Sequence, residues 1–487
     1  MMRPMMRHDL PSLHAITRRQ FLGTGSLGLG ALALGELGVA APLLDGQVDP
    51  VAVRSPHFTG RAKSVIYVHL AGSPSQLELY DHKPELARLH GTPCPDEYLK
   101  GERFAFIKGH PELLRPLHGF GKRGQSGMEL GDLLPQLGGV ADELCLIRSM
   151  HTSQFNHAPA QLLLHTGEPR FGSPSMGAWV TYGLGCDNRN LPAFVVLVSG
   201  QTPDAGKGIW GSGYLPGVFQ GVQCRTSGDP VLFLNDPKGV DRTGRAAVIA
   251  SVNDLNRITA ERSGDPETAT RIAQYELAHR MQLAAPEAME LAREDAATRE
   301  LYGAEPGASS FANNCLLARR LVERGVRYVQ LFDWGWDGHG TNATDDLVHQ
   351  LPAKCAQVDR PLAALITDLR RRGLLDQTLI VCGGEFGRTP VAEFRDGKRD
   401  FLGRDHHPHA FSMWMAGGGS RGGHVHGETD DLGYRIARDP VSVRDLQATI
   451  LHLLGFDHER LTYRHNGLDH RLTGVQEPAR VVKDLLA

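Results

Sequence analysis

Twice in its second half this chain runs an amphipathic helix into a glycine, then an apolar strand, then a polar turn carrying carboxylates. The first unit is the helix "NNCLLARRLVERG", the strand "VRYVQLF" and the turn "DWGWDGHGTN" (Asp333 to Asn342). The second is "VDRPLAALITDLRRRG", "TLIVCGG" and "EFGRTP". In both, glycine closes the helix, because the left-handed residue that ends a helix costs glycine no Cβ clash. Strands alternating with helices need crossover connections, so the pattern predicts an α/β fold on a parallel or mostly parallel sheet. In such sheets ligands bind outside the carboxyl ends of the strands. Both polar turns sit at that end.

The rest of the chain extends the pattern. "VIYVHL" (Val65 to Leu70) predicts a strand that breaks at Gly72-Ser73-Pro74. "LCLIR" predicts a second strand, a polar turn after it and a helix starting near Asn156. "LPAFVVLVSG" and "AFSMWMAG" are further buried-type strands. Residues 250–325 read as mainly helical, broken at Gly264-Asp265-Pro266 and near Ala284-Ala285-Pro286. They are expected to be a cover or insertion on a single domain spanning 61–487.

The N-terminus carries an address rather than a fold. "ITRRQFLGTGSLGLGALALGELGVAAP" pairs Arg18-Arg19 with a weakly apolar, glycine-rich run and a small-x-small site near Gly38-Val39-Ala40. This is the pattern of a twin-arginine export signal over 1–41, followed by a polar linker over 42–60, and it predicts a periplasmic or otherwise exported protein handled by the twin-arginine translocase. The embedded "GTGSLG" has no strand before it, so it is no nucleotide fingerprint. No later run approaches the ~18 apolar residues of a membrane span. A formal charge of -3 gives no electrostatic case for nucleic acid. The seven scattered cysteines contain no C-x-x-C and are odd in number, which argues against a disulfide scaffold. The unusual count is 23 histidines, many in the last 90 residues, as a metalloprotein would have.

Five clusters of polar residues fall at strand ends or adjoining loops. They are Ser73, Ser75, Glu78 and Asp81; His151, Thr152, Ser153, Asn156 and His157; Asp333, Asp337 and His339; Glu385 and Arg388; and Asp405, His406, His407 and His409. Carboxylate with imidazole suits Zn²⁺, or Mn²⁺, better than Ca²⁺. Two ions ~3.5–4 Å apart would need about six such ligands. Glu78, His157, Asp337, His339, Glu385 and His406 are the metal-ligand candidates. Thr152 and Ser153 are N-cap residues by type, and a hydroxyl at a helix N-terminus is also where a phosphoryl nucleophile would gain from the dipole. Arg388 offers a guanidinium fork for an anionic ester, or a salt bridge to Glu385. Asp333 reads as a support, and Trp334 and Trp336 as packing.

The stretches "GSPSQLELYDHKP", "NHAPAQLLLHTG", "WDGHGTN", "GGEFGRTP" and "GRDHHPHAFSMWMAGGG" resemble, in that order, the motifs of the domain-of-unknown-function 1501 family, over about residues 60 to 475. That family is grouped with the alkaline phosphatase and sulfatase superfamily. The resemblance implies an alkaline-phosphatase-like α/β sandwich. It makes Asp337 and His339 the middle Asp/His pair, Glu385 the next carboxylate and His406 the late histidine. The superfamily's Asp-x-x-x-His is Asp-x-His here, and its Asp-His is Glu385-Phe386. No C-x-P-x-R or S-x-P-x-R occurs, so the formylglycine nucleophile of common sulfatases is absent. Two functions follow: an exported metal-dependent hydrolase of phosphate or sulfate esters, or a non-catalytic exported binding protein on the same fold.

Overall fold

Among the described residues, nine strands build the central sheet. In chain order they are β1 (Ser64–Ala71), β2 (Leu144–His151), β3 (Phe194–Ser199), β4 (Val222–Cys224), β5 (Tyr328–Trp334), β6 (Thr378–Gly383), β7 (Phe411–Ala416), β8 (His424–His426) and β9 (Val441–Ser442). The spatial order is β8-β2-β7-β6-β1-β5-β3-β4, with β9 also paired to β2. Every pairing is parallel except those of β7, which runs antiparallel to both β6 and β2. The expected α/β class with a mostly parallel sheet is therefore what the chain forms. The computed structural model describes residues 50–102, 104–107, 109–225, 242–263, 266–394, 399–475 and 477–487. The expected signal (1–41) and the first part of the expected linker lie outside the described residues.

The longer helices are α1 (His157–Thr166), α2 (Met176–Leu184), α3 (Arg242–Ser263), α4 (Pro266–Met289), α5 (Phe311–Glu323), α6 (Gln350–Arg371) and α7 (Val443–Leu453). Along β1 the side chains alternate between two cores. Ile66, Val68 and Leu70 pack with residues of α5 and α6, and Val65 and Tyr67 pack with residues of α1, α2 and α7. Burial on both faces is why β1 and β6 read as unbroken apolar runs. All seven cysteines are free and buried.

Helix starts follow capping chemistry where it is present. Ser442 and Asp445 form a reciprocal capping box on α7, and Ser310 caps α5 through the Asn313 N–H. Two expectations are corrected. Helix α4 runs through Pro286 to Met289. Arg320 donates to the carbonyls of Glu287 and Ala288, which satisfies the end of that helix. Thr152 and Ser153 do not cap α1, whose N-cap position is Asn156.

Candidate functional site

Four segments meet at the carboxyl edge of the parallel strands. Asp337 and His339 follow β5, Glu385 and Arg388 follow β6, and His157 opens α1 after β2. His406 precedes β7, and because β7 is reversed, the loop before it lies beside the loops that follow its neighbours. The loops approach to backbone contact at two glycines. Gly72 has φ +103°, and a Cβ there would lie 2.6 Å from the Asp337 nitrogen. A Cβ on Gly403 would lie 2.0 Å from the carbonyl carbon of His339.

The centre of the site is one oxygen. Asp337 Oδ1 lies 2.8 Å from His339 Nε2, 3.2 Å from His157 Nε2 and 3.3 Å from His406 Nε2. Each ring is held from behind through its other nitrogen. His157 Nδ1 contacts Glu385 Oε1 at 2.7 Å, His339 Nδ1 contacts Glu393 Oε2 at 2.6 Å, and His406 Nδ1 contacts the Phe155 carbonyl at 2.8 Å. Those partners only accept, so every Nδ1 carries its hydrogen and every Nε2 turns a lone pair toward the same point. His157 Nε2 is buried without a hydrogen-bond partner of good geometry, and His339 Nε2 stands 3.1 Å from His406 Nε2. Lone pairs aimed at each other and at a carboxylate repel unless positive charge lies among them.

Protons or a cation can supply that charge. Without a cation, burial pushes the His157 imidazole down, but the adjoining carboxylates of Asp337 and Glu385 outweigh it and raise it to about 9. His339 moves up for the same reasons, against burial, through Asp337 and Glu393. His406 is pushed down to about 4 by burial, with Asp337 opposing and Arg388 reinforcing the shift. Burial raises Asp337, yet Arg388 and the three imidazoles hold its carboxyl far below the usual carboxylate range. The three carboxylates touching these rings outnumber the one guanidinium.

The donor set also fits a divalent cation. Tetrahedral donors bonded at ~2.0–2.1 Å stand about 3.3–3.4 Å apart, close to the separations found. Imidazoles backed by carboxylate or carbonyl through the far nitrogen are the usual supports of metal-ligating histidines. His157, Asp337 and His406 offer ligand atoms within 4.8 Å of one another, and His339 Nε2 adds a fourth 2.8 Å from Asp337 and 3.1 Å from His406, so these four are the candidates to hold an ion.

The other sequence candidates have other work. Glu385 is fully buried and turned inward: Oε1 takes His157 Nδ1, Gln161 Nε2 at 3.0 Å and the Gly72 N–H at 3.2 Å, and Oε2 faces His69 Nε2 at 3.1 Å without hydrogen-bond geometry. It backs a ligand instead of being one. Burial raises its carboxyl, but His157 and His69 hold it well below its ordinary value. Glu78 is not brought to the cluster, because Arg404 holds Oε1 at 2.8 Å and the Leu117 N–H holds Oε2 at 2.8 Å. Arg388 is no open anion clamp. Its Nε donates to the Ser73 carbonyl, Nη1 to that of Arg404, and Nη2 to Gly72 and Asp337. Thr152 Oγ1 accepts the Gln154 N–H at 3.3 Å, and the exposed Ser153 accepts Gln154 Nε2 at 3.1 Å. Asp333 is the support it was read to be, bound by Trp336 Nε1, Gln357 and Lys354.

Sequence reasoning missed His69, Gln161, His165, Gln330 and Glu393. Gln330 Nε2 lies 3.1 Å from His165 Nδ1, and His165 Nε2 lies 2.9 Å from His69 Nδ1. The amide can only donate from nitrogen, so the chain points one way and leaves the His69 Nε2 hydrogen facing Glu385. One signal was available: His157, Gln161 and His165 are spaced by four and share a helix face. Glu393 carries no comparable mark.

The DUF1501 family, described as a protein family of unknown function, matches residues 62–486. The chain belongs to it. No curated protein matches the sequence. Among solved structures, the lipoteichoic acid synthase LtaP from Listeria monocytogenes is similar at 11% identity and a TM-score of 0.37, covering 88% of this chain and 79% of that one. The PsFucS1 sulfatase from Pseudoalteromonas sp. is similar at 12% identity and 0.36, covering 82% and 69%. A mutant TAB5 alkaline phosphatase with magnesium bound is similar at 10% identity and 0.32, covering 82% and 99%. At TM-scores this low the likenesses carry no argument about activity, so the reading of this DUF1501 chain rests on its own site.

Proposed function

We propose that this chain is an exported hydrolase of phosphate or sulfate esters that works with a divalent cation, Zn²⁺ by donor type, held by Asp337, His157, His339 and His406. The observation that carries this is the convergence of three backed imidazoles on one carboxylate oxygen. A bound divalent cation supplies Lewis acidity and makes water a nucleophile near neutral pH. That chemistry needs neither a formylglycine nor Thr152 or Ser153. Arg388 keeps Asp337 ionised and fixes its orientation. The Asp337 side chain is 40% exposed, so the site opens to solvent on its side. Its rim includes the exposed Phe106 ring, 4.7 Å from that of His339.

One ion fits better than two. The alternative group His339, Glu393 and Asp405 also lies within reach of a cation. In that group Glu393 already takes the His339 Nδ1 hydrogen, and Asp405 already accepts the Phe106 and His406 N–H groups. The ester class comes from the motif resemblance, and export through the twin-arginine translocase comes from the Arg18-Arg19 pattern. No helix among the described residues is long and apolar enough to cross a membrane.

A second reading, an exported binding protein on the same fold, draws on two observations. Thr152 and Ser153 are engaged with their neighbour, and Arg388 spends its donors on carbonyls and Asp337. The deciding experiment purifies the folded chain, counts bound metal, and screens aryl phosphates and sulfates with wild type and Asp337→Asn. Metal in wild type with turnover lost in the variant is the expected result. No metal after Zn²⁺ or Mn²⁺ supplementation sinks the hydrolase, and metal without turnover of any ester leaves the binding protein.

A further inference from the structure

At the other end of β2 a second group of histidines meets a carboxylate. Strand β8 reads "HVH", and residues two apart on a strand share a face. His424 Nε2 lies 2.8 Å and His426 Nδ1 3.0 Å from the same oxygen, Oδ2 of Asp484. Arg421 Nη1 holds the other oxygen at 2.9 Å. His424 pairs with Cys145 and His426 with Ile147, on the first half of β2 and away from the carboxyl end that leads to His157. This group shares no residue with the site described above.

We propose that His424, His426 and Asp484 form a separate site for a divalent cation of the Zn²⁺ class, which fastens the segment 483–487 to the sheet edge. Three facts support it. One ligand atom from each of the three side chains lies within 4.8 Å of the others. Two imidazoles with one carboxylate suit zinc and its neighbours rather than calcium or magnesium. The Arg421 bond on the spare oxygen is the outer support that ligating carboxylates commonly have. His426 is buried and Asp484 half-exposed, so the ion would keep an open side toward water.

The consequence is mechanical. Asp484 sits in a short helical turn, Lys483–Leu485, and the neighbouring residues are already tied to the loop before β8. Arg421 N–H donates to Leu485 at 2.9 Å, Ala487 N–H donates to Gly419 at 2.9 Å, and Ser420 bridges Leu486. Leu485 is fully buried. An ion bound by both β8 and Asp484 would lock that tail over an edge strand, where unpaired backbone otherwise invites pairing with other chains.

The test uses the full chain and Zn²⁺ alone as probe. Stoichiometry and affinity are measured for wild type, Asp484→Asn, His424→Gln and Asp337→Asn, after a cooperative melting transition in chelator establishes that each is folded. Asp484 is exposed enough that its amide variant should fold. Asp484→Asn and His424→Gln are expected to lose one equivalent of Zn²⁺, or to bind it about tenfold or more weakly, while Asp337→Asn keeps it. Hydrogen exchange of the Arg421 and Ala487 amides, which tie this tail down, should slow with Zn²⁺ in wild type and be unaffected by Zn²⁺ in Asp484→Asn. Wild-type stoichiometry and affinity in both edge variants, or Zn²⁺ protection of the tail that survives in Asp484→Asn, overturns the proposal.

Discussion

The two histidine clusters use the same chemical groups under different constraints. At the carboxyl edge every imidazole is gripped at its far nitrogen by Glu385, Glu393 or a carbonyl, and the near nitrogens have no choice of direction. At the β8 edge the carboxylate is half-exposed and its partners sit on a three-residue strand. The first cluster is organised by buried charge that must be balanced. The second is organised by the sheet's pleat, and its charges are shared with water. Composition alone would rank them as equals. What separates them is how much each structure loses if the cation is absent.

Changing the centre should separate them most. Asp337→Asn removes the shared oxygen's charge, and ester turnover should fall to the background rate, while Zn²⁺ binding at the β8 edge persists. Turnover at the wild-type rate would remove Asp337 from the site. Next in size is Glu385→Gln, which takes away a supporting carboxylate while leaving the ligands in place. Metal affinity at the main site should weaken ~10–100-fold. Breaking a buried charged pair should also cost about 3–5 kcal/mol of stability, read by denaturant unfolding. A Glu385→Gln protein with unchanged affinity would mean that His157 needs no backing.

The metal-stripped protein should show a stability optimum near pH 6.5. His157 is raised from 6.5 to about 9 on folding, so its contribution is whole below 6.5 and is lost as pH climbs through 9. His406 and His407 are lowered to about 4 and about 3, in each case mainly by burial, so the unfolded chain binds more protons below 6.5 and stability falls as the medium turns acid. Adding Zn²⁺ should flatten the alkaline limb, because a ligating His157 has no proton to lose. Melting curves across pH with and without Zn²⁺ check this, and an alkaline limb that ignores Zn²⁺ contradicts it. The smallest effect belongs to Asp484→Asn in chelator. Exposed ion pairs contribute ~0–1 kcal/mol, so its melting point should shift only slightly until Zn²⁺ is added.

Much of this arrangement was legible because strand ends are legible. The apolar runs of β5 and β6 end where the sequence turns polar, and this alone places Asp337, His339, Glu385 and Arg388 on one edge. Their roles were not legible. Nothing local distinguishes Glu385, which faces inward to His157 and His69, from a carboxylate facing outward to an ion. Glu78 looked equally available until Arg404, distant in sequence, took it. Arg388 looked free because its partners are backbone carbonyls, which every residue carries. His69 and Glu393 were passed over because a histidine inside a strand and a glutamate in a loop gain meaning only from the rings beside them. The hydroxyls Thr152 and Ser153 suit a cap, but the loop runs on to Asn156 before it turns helical.

The reversal of β7 reaches beyond sheet geometry. His406 enters the cluster from a loop that runs toward its strand, while its companions leave theirs, and His157 and Glu385 stand 228 positions apart. A chain that stops short of His406 lacks one of the four groups, and the strand that follows His406 is the one that lies between β6 and β2. Occupancy of the site by a cation would therefore report that segments from both halves of the chain have come together.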